Sequence, residues 1–181
     1  PRLTVATDEV AEVLEILRAP GEAPTMDELL AALRDAETLR GRRVRLPEQL
    51  KGERNLLIVA YEREQQADID TWLAVLDTLA PQLPDFAYYE LPTIGTSYKW
   101  MRAVIDGGMK QGIPDRAQRD RTITLYLDVD WFRGQIGTAD NPGIAALLVD
   151  RQGNIAARWY GRYAAAFGDE LRAAVSLNPG P

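Results

Sequence analysis

The run Asn55–Tyr61 reads NLLIVAY, strand-length and almost wholly apolar. A run of this kind leaves neither face for water. It has to be a strand covered on both sides, which is the condition of a partly parallel sheet with helices on its faces. The segments that follow fit that demand. Ile69, Trp72, Leu73, Val75 and Leu76 recur at helical spacing and stop before Pro81. Phe86–Leu91 is a second strand, carrying Tyr88 and Tyr89. Ser97–Gly108 has the makings of a helix with Trp100, Met101, Val104 and Ile105, and a polar, arginine-rich connection runs on to Arg121. Thr122–Leu127, Ile144–Val149 and Ile155–Tyr160 are three further strands. The last two form a hairpin around the turn Asp150–Asn154, and Gly168–Val175 closes the chain as a helix. The fold class is α/β, with a central mixed sheet flanked by helices.

The first 42 residues have a different character. Val10, Val13, Leu14 and Leu17 are spaced for a helix over Thr7–Arg18, which Ala19-Pro20-Gly21 ends. Thr25 to Glu28 has the capping-box pattern, with Leu29, Leu30 and Leu33 behind it. The expected organisation is a helical N-terminal extension (1–42), an α/β domain (43–176) and a frayed tail (177–181). The chain starts at Pro1, which points to a trimmed segment or a removed signal or anchor and leaves the compartment open.

Two absences narrow the chemistry. The chain has no cysteine and no histidine. Without a thiolate there is no dithiol exchange and no peroxide reduction at cysteine. Without imidazole the commonest transition-metal ligand and the usual general base are gone. The only serines, Ser97 and Ser176, have no histidine to activate them, and no glycine-rich phosphate loop follows a strand. A net charge of -6 argues against nucleic acid as a partner. No apolar run is long enough to span a bilayer. No cofactor is implied.

Three constellations stand out. Glu62, Arg63, Glu64 and Asp68 follow the first apolar strand, at the carboxyl end where open α/β sheets bind ligands. They form either a polar recognition cleft with Arg63 as its grip, or an acid-rich helix start. Asp128 and Asp130 alternate after a strand, as magnesium ligands of a phosphoryl hydrolase would; helix capping by Asp130 explains the pair equally well. Tyr98, Trp100, Met101 and Trp131 belong to an aromatic-rich middle segment. Beside Gly107, Gly108 and Gly112, they are candidates for a partner-binding surface.

The order of elements, with Arg45-Leu46-Pro47-Glu48-Gln49-Leu50-Lys51-Gly52 leading into the first core strand, resembles the thioredoxin-like superfamily. The resemblance implies a three-layer sandwich. The superfamily's active cysteine would fall within Tyr61–Asp68, where this chain has none. More specifically, Trp100-Met101-Arg102, the segment Trp131–Gly137 and the hairpin Leu148–Trp159 resemble the family of ATP synthase membrane-sector assembly factors of mitochondria and their bacterial relatives. That resemblance implies a non-catalytic assembly factor or chaperone whose protein partner is a membrane-complex subunit. The alternatives are a magnesium-dependent phosphoryl hydrolase using Asp128 and Asp130, or a small-ligand or peptide carrier using the cleft near Arg63.

Overall fold

The structure, a computed structural model, describes residues 33, 34 and 36–176. The helices expected over Thr7–Arg18 and from Thr25, and the tail 177–181, lie outside the described residues, except that Leu33 and Arg34 are helical. Strands β1 (Ala36–Thr38), β2 (Arg43–Val44), β3 (Arg54–Ala60), β4 (Phe86–Ile94), β5 (Ile123–Tyr126), β6 (Ala145–Asp150) and β7 (Ile155–Tyr160) make one sheet. Their order is β2-β1-β5-β4-β3-β6-β7. β3 runs parallel to β4, and β4 to β5; the other neighbours are antiparallel. β1 falls within the stretch read as the helical extension, so the sheet begins at Ala36 rather than after residue 42.

NLLIVAY is β3, and both its faces are covered. Leu56, Ile58 and Val59 have no exposed surface. On one face Val59, Tyr89, Leu91, Leu125 and Leu147 pack under Leu46 and Leu50. Phe132 of α4 (Val129–Gln135) joins them. On the other face Leu56, Ile58, Ala146 and Leu148 pack under Ile69, Trp72 and Leu76 of α1 (Gln66–Leu79). Leu171 and Val175 of α5 (Ala165–Ser176) complete that layer. The result is helix, sheet and helix in three layers.

Polar groups inside this core are satisfied locally. Asn55 is fully buried, accepts from the Gly52 amide at 3.0 Å and donates to the Gly52 carbonyl at 2.7 Å. Buried Trp72 stacks on Phe167 at 5.6 Å, meets the edge of Tyr163 at 5.2 Å, and donates its indole N–H to the Gly161 carbonyl at 2.9 Å. The β6–β7 hairpin turns at Gly153, whose φ of +86° needs glycine. Asp150 secures that turn by accepting from the amides of Gln152 and Asn154.

Under α2 (Arg102–Gly112) and α3 (Arg116–Arg121) the sheet is polar instead. The arginine-rich connection expected after Gly108 contains α3, capped by Asp115, which accepts from the Gln118 amide at 2.7 Å. Glu90 of β4 is 2% exposed and accepts from Gln118 at 3.1 Å. Beside it Arg121 lies over the Tyr88 ring at 4.4 Å and pairs with Asp77 at 3.3 Å. Burial, with the Asp70 charge adding to it, holds the Glu90 carboxyl above the ordinary carboxylate range against its hydrogen bonds and Arg121.

Two outcomes follow for stability. At Gly52 a methyl group would lie 2.5 Å from the Arg54 carbonyl and 2.7 Å from that of Asp85, both backbone atoms. Gly52→Ala is therefore expected to lower the urea midpoint sharply, and Trp72→Ala to cost about 3–5 kcal/mol in the same titration. For Glu90, the folded state holds the proton more tightly than the unfolded state. The stability this group contributes is present below its unfolded pKa and is lost as pH rises through the folded one. Glu90→Gln, which keeps an oxygen acceptor toward Gln118, should gain stability over wild type with rising pH in denaturation series run from acid to mildly alkaline buffer. A constant difference across the series would refute this.

Candidate functional site

Parallel strands β3, β4 and β5 end on the same side of the sheet, where open α/β folds place their ligands. The chain that leaves each strand builds a different surface there.

After β3 the chain turns through Tyr61 into a single 3-10 turn, Arg63–Gln65, which leads into α1. Glu62, Arg63 and Glu64 are exposed on this turn. The buried member of the stretch is Gln65, whose side-chain oxygen accepts from the Tyr61 amide at 2.9 Å and whose amide donates to the Pro142 carbonyl at 3.0 Å. The cation at this end is Arg133 of α4, lying over the Tyr61 ring at 4.9 Å and donating to the Asn141 carbonyl. The Tyr61 hydroxyl meets that of Thr138 at 3.2 Å, and burial pushes its phenol above the ordinary tyrosine range. It stays protonated at neutral pH. Tyr61, Gln65, Arg133 and Thr138 thus clamp the β3 exit to the loop before β6. None of the four supplies a nucleophile or a base poised near neutrality. Tyr61 and Gln65 lie within the stretch Tyr61–Asp68 that the sequence singled out; Arg133 and Thr138 come from a distant element and loop, and no spacing links them to it.

After β4 the expected helix over Ser97–Gly108 begins as a 3-10 turn, Thr96–Met101, and continues as α2. Two charged residues of α2 face the sheet: Arg102 lies over the Tyr126 ring at 5.4 Å and pairs with Glu37 at 3.1 Å, while Asp106 accepts from the Tyr126 hydroxyl at 3.0 Å. No residue of α2 is buried. Of its large apolar side chains Val104 is 69% exposed while Ile105 and Met109 are half-buried; the preceding turn exposes Trp100 (82%) and Tyr98 (48%), with Met101 half-buried. Large apolar side chains concentrated in this way mark an interaction surface more often than isolated ones do.

After β5, Asp128 is the cap of α4, accepting from the Trp131 amide at 2.9 Å. The capping residue is Asp128, not Asp130, which is exposed in the first turn. Among the described residues no group of three acidic side chains is placed to hold a metal ion. Trp131 is half-buried on α4, whose Phe132 packs into the face opposite the one α2 covers. Of the four residues expected to form a partner surface, Tyr98 and Trp100 stand out together, Met101 lies at their edge, and Trp131 belongs to a different helix.

No family model matches the chain, and no curated protein does. Solved structures do. The exposed lipoprotein thioredoxin of Streptococcus pneumoniae matches at TM-score 0.53 and 12% identity, over 78% of this chain and 96% of that one. A putative electron transport protein of Aquifex aeolicus matches at TM-score 0.55 and 13% identity, over 82% and 97%. The N-terminal domain of PilB from Neisseria gonorrhoeae matches at TM-score 0.52 and 8% identity, over 85% and 95%. At these identities the likeness is one of fold, and function belongs to sites rather than folds. The chain has a thioredoxin-like α/β fold, built without a single cysteine.

Proposed function

We propose that this protein is a redox-inactive binding protein that serves the assembly of a membrane-complex subunit, working through the surface of Tyr98, Trp100, Met101 and α2. The observation that carries this reading is the exposed apolar group Tyr98, Trp100 and Val104, which gains nothing for the isolated fold and suits a protein with a partner, while Arg102 and Asp106 beside it are used against the sheet. Two further points support it. The β3 exit is tied down by the chain's own side chains, whereas the β4 exit carries exposed apolar ones. The resemblance of Trp100-Met101-Arg102 and of the Leu148–Trp159 hairpin to the ATP synthase assembly factors names the class of client, a membrane-embedded subunit met at the membrane surface.

The test is affinity capture from detergent-solubilised membranes of the source organism, comparing the wild-type chain with a Trp100→Ala/Met101→Ala variant. Enrichment of one membrane-complex subunit by the wild type, reduced at least about tenfold by the double variant, is the expected result. Trp100 projects into solvent, so the variant should unfold at nearly the wild-type temperature. Capture unchanged by the substitutions would exclude this surface as the binding site.

A further inference from the structure

The opposite end of the sheet, where the parallel strands begin, is left open. β3 pairs with β4 from Phe86 onward, but β5 meets β4 first at Glu90, through Thr122, and then at Thr93 and Ile94. Beside Phe86–Tyr89 there is therefore no strand on the β5 side among the described residues. The chain before β5 is α3, and it leaves the gap as an open cleft of about 400 Å³. That volume lies within the range of roughly 300–1,000 Å³ typical of small-molecule sites. The cleft is lined by the end of α1 and the turn after it, the first residues of β4, the last of α3, and Lys51.

One part of the lining is apolar, made of Leu76, Ala80, Pro81, Phe86 and Ala87. The other part is ionic, and its acids and cations are not equally engaged. Both acids are taken up within the protein. Asp120 pairs with Arg40 at 2.6 Å, while Asp77 pairs with Arg121 at 3.3 Å and accepts from the Tyr88 hydroxyl. The cations have capacity left. Lys51 makes no ion pair among the described residues. Arg121 spends one Nη on Asp77, its Nε has no partner, and the Tyr88 ring under it at 4.4 Å fixes its place at the cleft. Arg42 belongs to the same corner. The hydrogen bond from Arg40, with the charges of Arg40, Arg42 and Lys51, holds the Asp120 carboxyl below its ordinary range against desolvation. An apolar wall thus meets a corner whose unspent charge is positive.

We infer that this cleft binds a small amphipathic carboxylate, its apolar body against Leu76, Pro81 and Phe86 and its carboxylate held by Arg121 and Lys51. A guanidinium with N–H groups to spare matches the fork of a carboxylate, and an ammonium adds charge without imposing a geometry. A bare inorganic anion would leave the apolar wall wet, and a neutral apolar molecule would make no use of the cations. Tyr98 and Trp100 follow the carboxyl end of β4 and the cleft lies at its start, so the inference stands apart from the proposed partner surface.

A heteronuclear NMR titration of the purified full chain tests it, following the backbone amides of Lys51, Phe86 and Arg121. The probes are octanoate and 3-phenylpropionate, each beside its neutral primary amide, with acetate as a carboxylate that lacks an apolar body. At least one of the two acids should shift these amides saturably, while its neutral amide and acetate bind at least about tenfold more weakly. The acid that binds tighter tells a fatty chain from an aromatic ring. Lys51→Gln should weaken binding of that acid about three- to fivefold, and raised salt should weaken it too. The Lys51 side chain is exposed and unpaired among the described residues, so the variant should unfold at nearly the wild-type temperature. Binding of neither acid, equal binding of an acid and its amide, affinity indifferent to Lys51→Gln, or shifts centred on Trp100 and Val104 instead would overturn the inference.

Discussion

Everything in this molecule hangs on the burial of β3 from every direction. β4 pairs along its whole length on one edge and β6 along nearly all of it on the other, so its amides and carbonyls are spent within the sheet. Its side chains are spent too, Leu56 and Ile58 against α1 and Val59 against Leu147 and its neighbours. Such a strand has one free direction, out of its carboxyl end. The chain must leave there and cross back over a face before a parallel neighbour can be added, which is what α1 does between β3 and β4.

The two halves of the sheet are not equivalent. The β3–β6–β7 half lies under α1 and α5 and is apolar, centred on Trp72 with Trp159, Tyr163 and Phe167 around it. The β1–β5–β4 half presents Glu37, Tyr126, Thr122 and Glu90 to the helices above. There the buried Thr124 hydroxyl and the Arg121 Nε have no hydrogen-bond partner among the described residues. Helices over polar ground gain little from apolar burial. α2 and α3 accordingly bury no residue and are held by ion pairs and side-chain hydrogen bonds, many of them part-exposed and worth little each. Regions of that kind are the low-stability end of a fold, where binding surfaces tend to be drawn from.

What was legible in the sequence divides along the same line. NLLIVAY and the Asp150–Asn154 turn could be read because each reports a local rule, a two-sided burial pattern and a positive-φ glycine with an aspartate before it. α1 and α5 were visible from their helical spacing, though each extends beyond it. β1 was hidden, because three residues carry no period and its pairing is set by β5 far along the chain. α3 was hidden because RAQRDR has no apolar stripe at all. The same holds at the β3 exit. Glu62, Arg63 and Glu64 stood out by charge, yet charge on a one-turn helix goes to solvent, and the polar residue that the core took in was the uncharged Gln65.

That choice of glutamine bears on what the β3 exit can do chemically. A thiol at the β3 exit would need access and a site able to stabilise its anion. Gln65 and Tyr61 instead tie the exit to Pro142 and Thr138 with neutral hydrogen bonds, and Arg133 covers the ring and reaches the Asn141 carbonyl. Those contacts tie the loop before β6 to the β3 exit. At the next exit, after β4, Arg102 and Asp106 turn down onto the sheet while Tyr98, Trp100 and Val104 stand in solvent, so the exposed apolar side chains at this end of the sheet lie one strand further along.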